Sequence, residues 1–201
     1  MPAPDEPTLE LPSPDPGVGW MLRYQQGEER AFDELVEAYS ARVFALITRF
    51  VGPAQNREDL VQEVFLRVIR ARHDYRPEAR FSTWLYRIVF NLCVNENERR
   101  KRGFSLDDGE GEAHERWADE RLEAPGAELE RADLVGSVRA AIAALPERQR
   151  MALVLAKYEG LAYDEVAHVL GTSEKAIKSM IHRARESLRA RLSAFLEEEL
   201  A

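Results

Sequence analysis

The sequence predicts an all-α fold: two small helical domains, an N-terminal helical bundle and a C-terminal helix-turn-helix domain, joined by an acidic flexible linker. Three observations carry this. Apolar residues recur at three- and four-residue steps, the helical period. Glycine and proline interrupt that pattern at Gly27, Gly52-Pro53, Pro77, Pro146, Gly160 and Gly171. Charge is unevenly divided: residues 1–19 hold −4, 20–102 hold +3, 103–133 hold −8 and 134–201 hold +1 of a net −8. Two mildly basic blocks flanking a strongly acidic one read as two domains and a linker. A chain of 201 residues, 45% hydrophobic, has room for both cores.

Residues 1–19 are acidic and proline-rich, and such a tail cannot bury enough apolar surface to offset its ordering entropy, so disorder is predicted. Trp20–Gln26 forms a short helix stopped by Gly27. Glu28–Val51 is a long one, with Phe32, Leu35, Val36, Tyr39, Val43, Leu46, Ile47 and Phe50 at helical spacing. Asn56 caps a third, Arg57–Arg72. Its inner stripe is Leu60, Val61, Val64, Phe65, Val68 and Ile69; its outer face carries Asp59, Gln62, Glu63, Leu66, Arg67 and Arg70. That face suits either plain solvation or a docking protein. His73–Arg80 is a loop broken by Pro77.

Arg80–Arg102 is the most informative stretch. Ser82 or Thr83 is placed to cap a helix. Leu85, Ile88, Val89, Leu92 and Cys93 form its buried stripe. The remaining face mixes Phe81, Trp84, Tyr86 and Phe90 with Asn91, Asn95 and Asn97, and ends in Arg99-Arg100-Lys101-Arg102. Aromatic faces stack on bases, amides pair with exposed base edges, and cations hold phosphates. The combination suits a strand whose bases have left the duplex; a core helix with a solvated basic end is the plain alternative.

Gly103–Asp133 is acidic, glycine-interrupted and poor in apolar residues: a linker, with short helical pieces around Glu115–Leu122. The second domain spans 134–195. Leu134–Leu145 is a helix stopped by Pro146, Arg148–Tyr158 a second, broken by Gly160, and Tyr163–Leu170 a short third. After Gly171, Thr172 or Ser173 caps a longer helix through Leu192. A helix-turn-helix needs a small residue at the crossing, a glycine in the turn and a β-branched residue in the second helix's core; Ala167, Gly171 and Ile177 supply them. The second helix also carries Lys175, Lys178, Arg183, Arg185, Arg189 and Arg191, and those on its outward face suit the phosphates flanking a major groove; His182 there is either a DNA contact or simply exposed. Residues 196–201 are a tail.

One cysteine excludes an intramolecular disulfide and a multi-cysteine zinc site. No apolar run is long enough to span a membrane, and the N-terminus lacks the pattern of a signal peptide, so a cytoplasmic chain without membrane insertion is expected. There is no phosphate-cradling glycine loop, nucleophile turn or ligand cluster, so neither an enzyme, a cofactor, a metal nor a small-molecule substrate is expected.

DLVQEVFLRVIRA (59–71), FSTWLYRIVFNLCVN (81–95), ALPERQRMALVL (144–155) and GLAYDEVAHVLGTSEKAIKSMIHRARESLRARL (160–192) closely resemble bacterial extracytoplasmic-function sigma factors of the sigma-70 family. The resemblance spans nearly all of 20–195. It implies a protein that binds core RNA polymerase, through the β′ clamp and β subunits, and directs it to promoters. On this resemblance 20–102 is sigma region 2, and Asp59, Gln62, Glu63, Leu66 and Arg67 dock on polymerase. Arg76, Arg80, Phe81, Trp84, Tyr86, Arg87, Asn91, Asn95, Arg99 and Arg100 read and melt the −10 element. Residues 134–195 are region 4, whose helix Ser173–Arg185 reads the −35 element, with Thr172, Ser173, Glu174, Lys175, Lys178, Ser179, His182, Arg183 and Arg185 as the implied DNA contacts. The linker resembles the segment that threads polymerase's channels, and an anti-sigma factor is an implied partner. Ser173-Glu174-Lys175-Ala176-Ile177 stands where the family often has Pro-Val-Gly-Thr-Val, so the −35 preference does not carry over.

The partners thus expected are core polymerase, promoter DNA as duplex and as melted strand, and an anti-sigma factor. The competing readings are a dimeric helix-turn-helix regulator and a helical adaptor that binds no DNA. The first leaves the aromatic-amide face and the Asp59, Gln62 and Glu63 patch without a purpose; the second would dock helical partners through its exposed aromatics.

Overall fold

A computed structural model describes residues 15–51, 56–104 and 127–199. The described residues form eight helices and no strand. They are α1 (Gly17–Gln25), α2 (Arg30–Val51), α3 (Arg57–Arg70), α4 (Phe81–Phe104), α5 (Ala127–Ala143), α6 (Glu147–Lys157), α7 (Tyr163–Leu170) and α8 (Glu174–Glu199).

In the first half, α1 to α4 pack around a shared core. Met21, Leu35, Val43, Leu46, Ile47 and Phe50 meet Val64, Val68, Leu85, Val89 and Cys93 there, all inaccessible to solvent. Each such side chain contributes about 1.5–3 kcal/mol by leaving water. Gly27 lets α1 turn into α2, with φ at 101°. The Gln25 amide donates to the carbonyls of Arg72 and Tyr75, at 2.7 and 3.0 Å, tying the end of α1 to the loop after α3. The Arg72 guanidinium lies 4.0 Å above the Tyr24 ring and pairs with Glu29 at 2.9 Å.

Several expected boundaries shift. Most of the expected tail, residues 1–14, lies outside the described residues, but Asp15 is fixed and helix begins at Gly17 rather than Trp20. Gly52-Pro53 also lies outside them. Ile69, expected on the inner stripe of α3, is 40% exposed beside Leu66. With α3 ending at Arg70, this last turn overhangs the core.

In the second half α5, α6 and α7 pack against α8. Pro146, with ψ at 136°, turns the chain into α6. Gly171 (φ 60°, ψ 48°) closes α7 in the left-handed conformation. The expected acidic linker loses residues at both ends. α4 continues to Phe104 and α5 starts at Ala127, and residues 105–126, including the segment around Glu115–Leu122, lie outside the described residues. The expected end at Leu192 and the tail from 196 likewise give way to helix through Glu199.

The halves are in contact. α7 lies along α4 and α6 touches α2, so the buried residues make one continuous cluster. Polar contacts edge this seam. Tyr86 donates to Glu159 at 2.7 Å, Asn97 to Glu147, and Arg150 to the Phe50 carbonyl at 2.8 Å. Arg49 stacks over Tyr158 at 4.6 Å and Arg148 over Phe90 at 5.8 Å.

Candidate nucleic-acid interface

α4 is covered on two sides, and this sorts its residues. One side faces α2 and α3, another faces α7. A line of side chains between them stays open to solvent: Trp84, half-buried, then Arg87, Asn91 and Asn95, exposed. Steps of three and four residues keep them on one face, over roughly 16 Å of helix axis. Trp84 is braced from below by Tyr75, ring centres 4.9 Å apart and edge to face, and by Phe81 at 5.5 Å. A braced indole offers a flat surface with little further entropy to lose when a base stacks on it.

Phe81, Tyr86 and Phe90 do not share that face. Phe81 is at 0% exposure among Tyr39, Tyr75 and Trp84, where it forms the floor of the first core. Tyr86, at 2%, is covered by the second half. Burial, then the hydrogen bond to Glu159, push its hydroxyl well above the usual tyrosine range. Phe90 is buried beneath Arg148. Asn97 is half-buried on Glu147. A single-stripe reading of the sequence placed all four outside because it allowed α4 only one packed side.

The loop that precedes α4 presents Arg76 and Arg80. Arg76 is exposed and donates to the carbonyls of His73 and Tyr75, at 3.3 and 3.1 Å. Arg80 is exposed and reaches Glu165 of α7 at 3.5 Å. At the other end of the row Arg99 and Arg100 gather on Glu96, at 3.1 and 3.2 Å, and Arg100 also reaches the Asn56 amide oxygen at 3.0 Å. Burial raises the Glu96 carboxyl, but hydrogen bonds from Asn56 and Arg100 outweigh this and hold it below its ordinary value. One carboxylate thus orders two cations beside the amide row.

On α3, Asp59, Gln62 and Leu66 are exposed in line; Glu63 and Arg67 are half-buried and pair with each other at 3.0 Å. Glu63 also takes Arg70 at 3.2 Å, and the hydrogen bond from Arg67 leads in holding its carboxyl below its usual value. Ile69 extends this patch, and sequence periodicity alone assigned it inward.

The second candidate reader is α7, Gly171 and the start of α8. Val166, Ala167, Leu170, Ile177, Ile181 and Ala184 lock the two helices together. Ser173 accepts from the Ala176 N–H at 3.3 Å, as an N-cap does. Ser173, Glu174, Lys175, Lys178, Ser179, His182, Arg183 and Arg185 are all exposed, and Thr172 is half-buried. Glu174 pairs with Lys178 at 2.6 Å, which raises the lysine and neutralises the acid that would otherwise face phosphate.

Sequence reasoning missed Asp15, Glu159 and Arg150. Each acts across large separations in the chain, for which no local pattern exists. It also misplaced the cap of α4. Ser82 is a donor there rather than the cap, and the Thr83 hydroxyl is buried without a partner.

Residues 35–103 match the family model described as Sigma-70 region 2, and residues 136–188 match Sigma-70, region 4. The chain is 36% identical to the RNA polymerase sigma-H factor of Pseudomonas aeruginosa over 180 residues, covering 88% of this chain and 93% of that protein. It is 35% identical to the ECF RNA polymerase sigma-E factor of Escherichia coli K12 over 170 residues, 83% of this chain and 88% of that one. The solved structure of CnrH in complex with the cytosolic domain of CnrY is similar, with a TM-score of 0.66 and 27% identity, covering 90% of this chain and 99% of that one.

Proposed function

Because this chain belongs to the extracytoplasmic-function sigma factors of the sigma-70 family, we propose a division of its surface between polymerase, duplex promoter and melted promoter. As a sigma factor it directs core RNA polymerase to promoters, acting as an initiation factor. We assign residues 20–102 to polymerase docking and the −10 element, and 134–195 to the −35 element. Action alongside polymerase places the work in the cytoplasm; no described helix is long and apolar enough to cross a membrane.

The proposed docking face on α3 is Asp59, Gln62, Glu63, Leu66 and Arg67, with Leu66 as its apolar centre. The exposed side chains at the start of α8 enter the major groove of the −35 element. There the cations take phosphates, and Glu174 is freed toward bases only when Lys178 turns to the backbone. Trp84, Arg87, Asn91 and Asn95 receive bases that have left the stack, with Arg76 and Arg80 on the strand's phosphates. Arg99 and Arg100 take phosphates at the far end. Phe81 supports this row from inside, and Tyr86 becomes available only when the second half moves off α4. Flipping a base costs a few kcal/mol, and stacking on an aromatic returns about 1–3 kcal/mol. The sequence of the separated strand thereby selects the promoter.

One observation carries this reading: the open row Trp84–Arg87–Asn91–Asn95 lies in the same chain as a helix-turn-helix whose second helix begins with exposed polar and basic side chains. With core polymerase added, Trp84→Ala or Asn91→Ala should lower run-off transcription roughly tenfold. Unchanged transcription from both variants would overturn the strand-capture assignment. An anti-sigma factor is the proposed inhibitory partner; CnrH, a similar structure, was solved with a second protein's cytosolic domain bound.

A further inference from the structure

The carboxylate of Asp15 joins three helices. Its Oδ1 accepts from the Gly17 N–H at 3.1 Å and from the Tyr39 hydroxyl on α2. Its Oδ2 accepts from Ser82 on α4 twice, from the backbone N–H at 2.8 Å and from the hydroxyl at 2.7 Å. Asp15 lies outside the segment that matches sigma region 2.

α4 needs this carboxylate. The first turn of a helix leaves N–H groups without intrahelical acceptors. The residue before α4 is Arg80, whose side chain has no acceptor, and no acidic residue stands in its first turn. Asp15 supplies from 67 positions away what the local sequence lacks. The charge also suits the positive end of the helix dipole. The fit is close: a Cβ on Gly17 would come within 2.5 Å of the Phe81 ring and 2.6 Å of the Tyr39 hydroxyl. Gly17 thus lies close against the ring that braces Trp84.

We propose that Asp15 is a positioning residue for promoter melting: it fixes the junction where the loop bearing Arg76 and Arg80 becomes the helix bearing Trp84. The inference rests on the strand-capture assignment above. Loss of the carboxylate lets the first turn of α4 fray, so that the loop and the indole no longer hold one geometry.

The test uses the full chain with core polymerase on a promoter whose −10 region carries 2-aminopurine. Asp15→Ala and the near-isosteric Asp15→Asn are compared with Ser82→Ala, Trp84→Ala and the double variant Asp15→Ala/Ser82→Ala. Open-complex formation at saturating polymerase should fall roughly five- to tenfold in Asp15→Ala, as loss of a cap allows, and by less in Asp15→Asn, which keeps one of the two acceptor oxygens. Polymerase affinity and binding to a −35 duplex should stay at the unaltered level. Ser82→Ala should cost little more once Asp15 is gone. Normal melting by both Asp15 variants, or a loss of polymerase affinity in step with thermal stability, would overturn the proposal. Trp84→Ala separates the two ideas. If it melts DNA normally the strand-capture assignment fails; if it is defective while the Asp15 variants are normal, only the role of Asp15 fails.

Discussion

Cys93 is fully buried on the inner side of α4, and desolvation pushes its thiol up to about 12. The reacting form of cysteine is the thiolate, so burial and a raised value together make it inert. In the native chain Cys93 should stay silent to Ellman's reagent at neutral pH and react only as fast as the first core opens. Immediate titration of one thiol per chain would show that α4 leaves α2 and α3 readily. Asp15 shows how one side chain can hide from a sequence reading. Burial alone would raise its carboxyl, but the hydrogen bonds from Tyr39 and Ser82 win and hold it below the ordinary range. Nothing near residue 15 reveals those partners, because they arrive from α2 and α4.

At the scale of the element, the turn between α7 and α8 shows what local chemistry decides. Gly171 sits at φ 60°, where an L residue with a side chain is strained by about 1–2 kcal/mol and asparagine is tolerated better. No other atom lies within 4 Å of the place its Cβ would occupy, so the cost is conformational and not steric. Gly171→Ala should lower the melting temperature by several degrees, and Gly171→Asn should lose less. Equal losses would show that the turn relaxes. Tyr163–Leu170 was legible to the residue because an extended entry, a capping acid and a left-handed glycine bound it. The interior stripe of α4 was legible too, in Leu85, Val89, Leu92 and Cys93. The placement of Tyr86 and Phe90 was not. A helical period identifies one buried side, and only the approach of α7 creates the second. Ile69 failed in the opposite sense: its spacing suited burial, but α3 ends before a neighbour can cover it.

For the whole molecule, distance decides. Elements at −10 and −35 are separated by about 25 base pairs, roughly 85 Å of duplex. In the packed chain α7 touches both α4 and α8, and helix axes in contact lie about 8–10 Å apart, so the axes of α4 and α8 pass within roughly 20 Å of each other. On the proposed assignment of α4 and α8 to the two promoter elements, both can be read together only if α7 leaves α4. A Tyr86→Cys/Glu159→Cys chain, with Cys93→Ala to remove the native thiol, tests this when joined by a short bismaleimide. The bridged chain should initiate far less often than the same chain carrying two separate maleimides. Equal initiation would show that the seam need not part.

The Arg150 guanidinium is the odd piece of that seam. It bonds the carbonyls of Ala143 and Phe50 at 2.7 and 2.8 Å, its Nε is buried without a partner, and burial lowers its basicity. A buried cation bonded to carbonyl oxygens, with only the nearby Glu147 charge to favour it, gives up more hydration than they return. Parting the halves therefore rehydrates a charge as it exposes oil, and the second cost is partly offset by the first gain. The joint is sealed with the one kind of group that water most wants back.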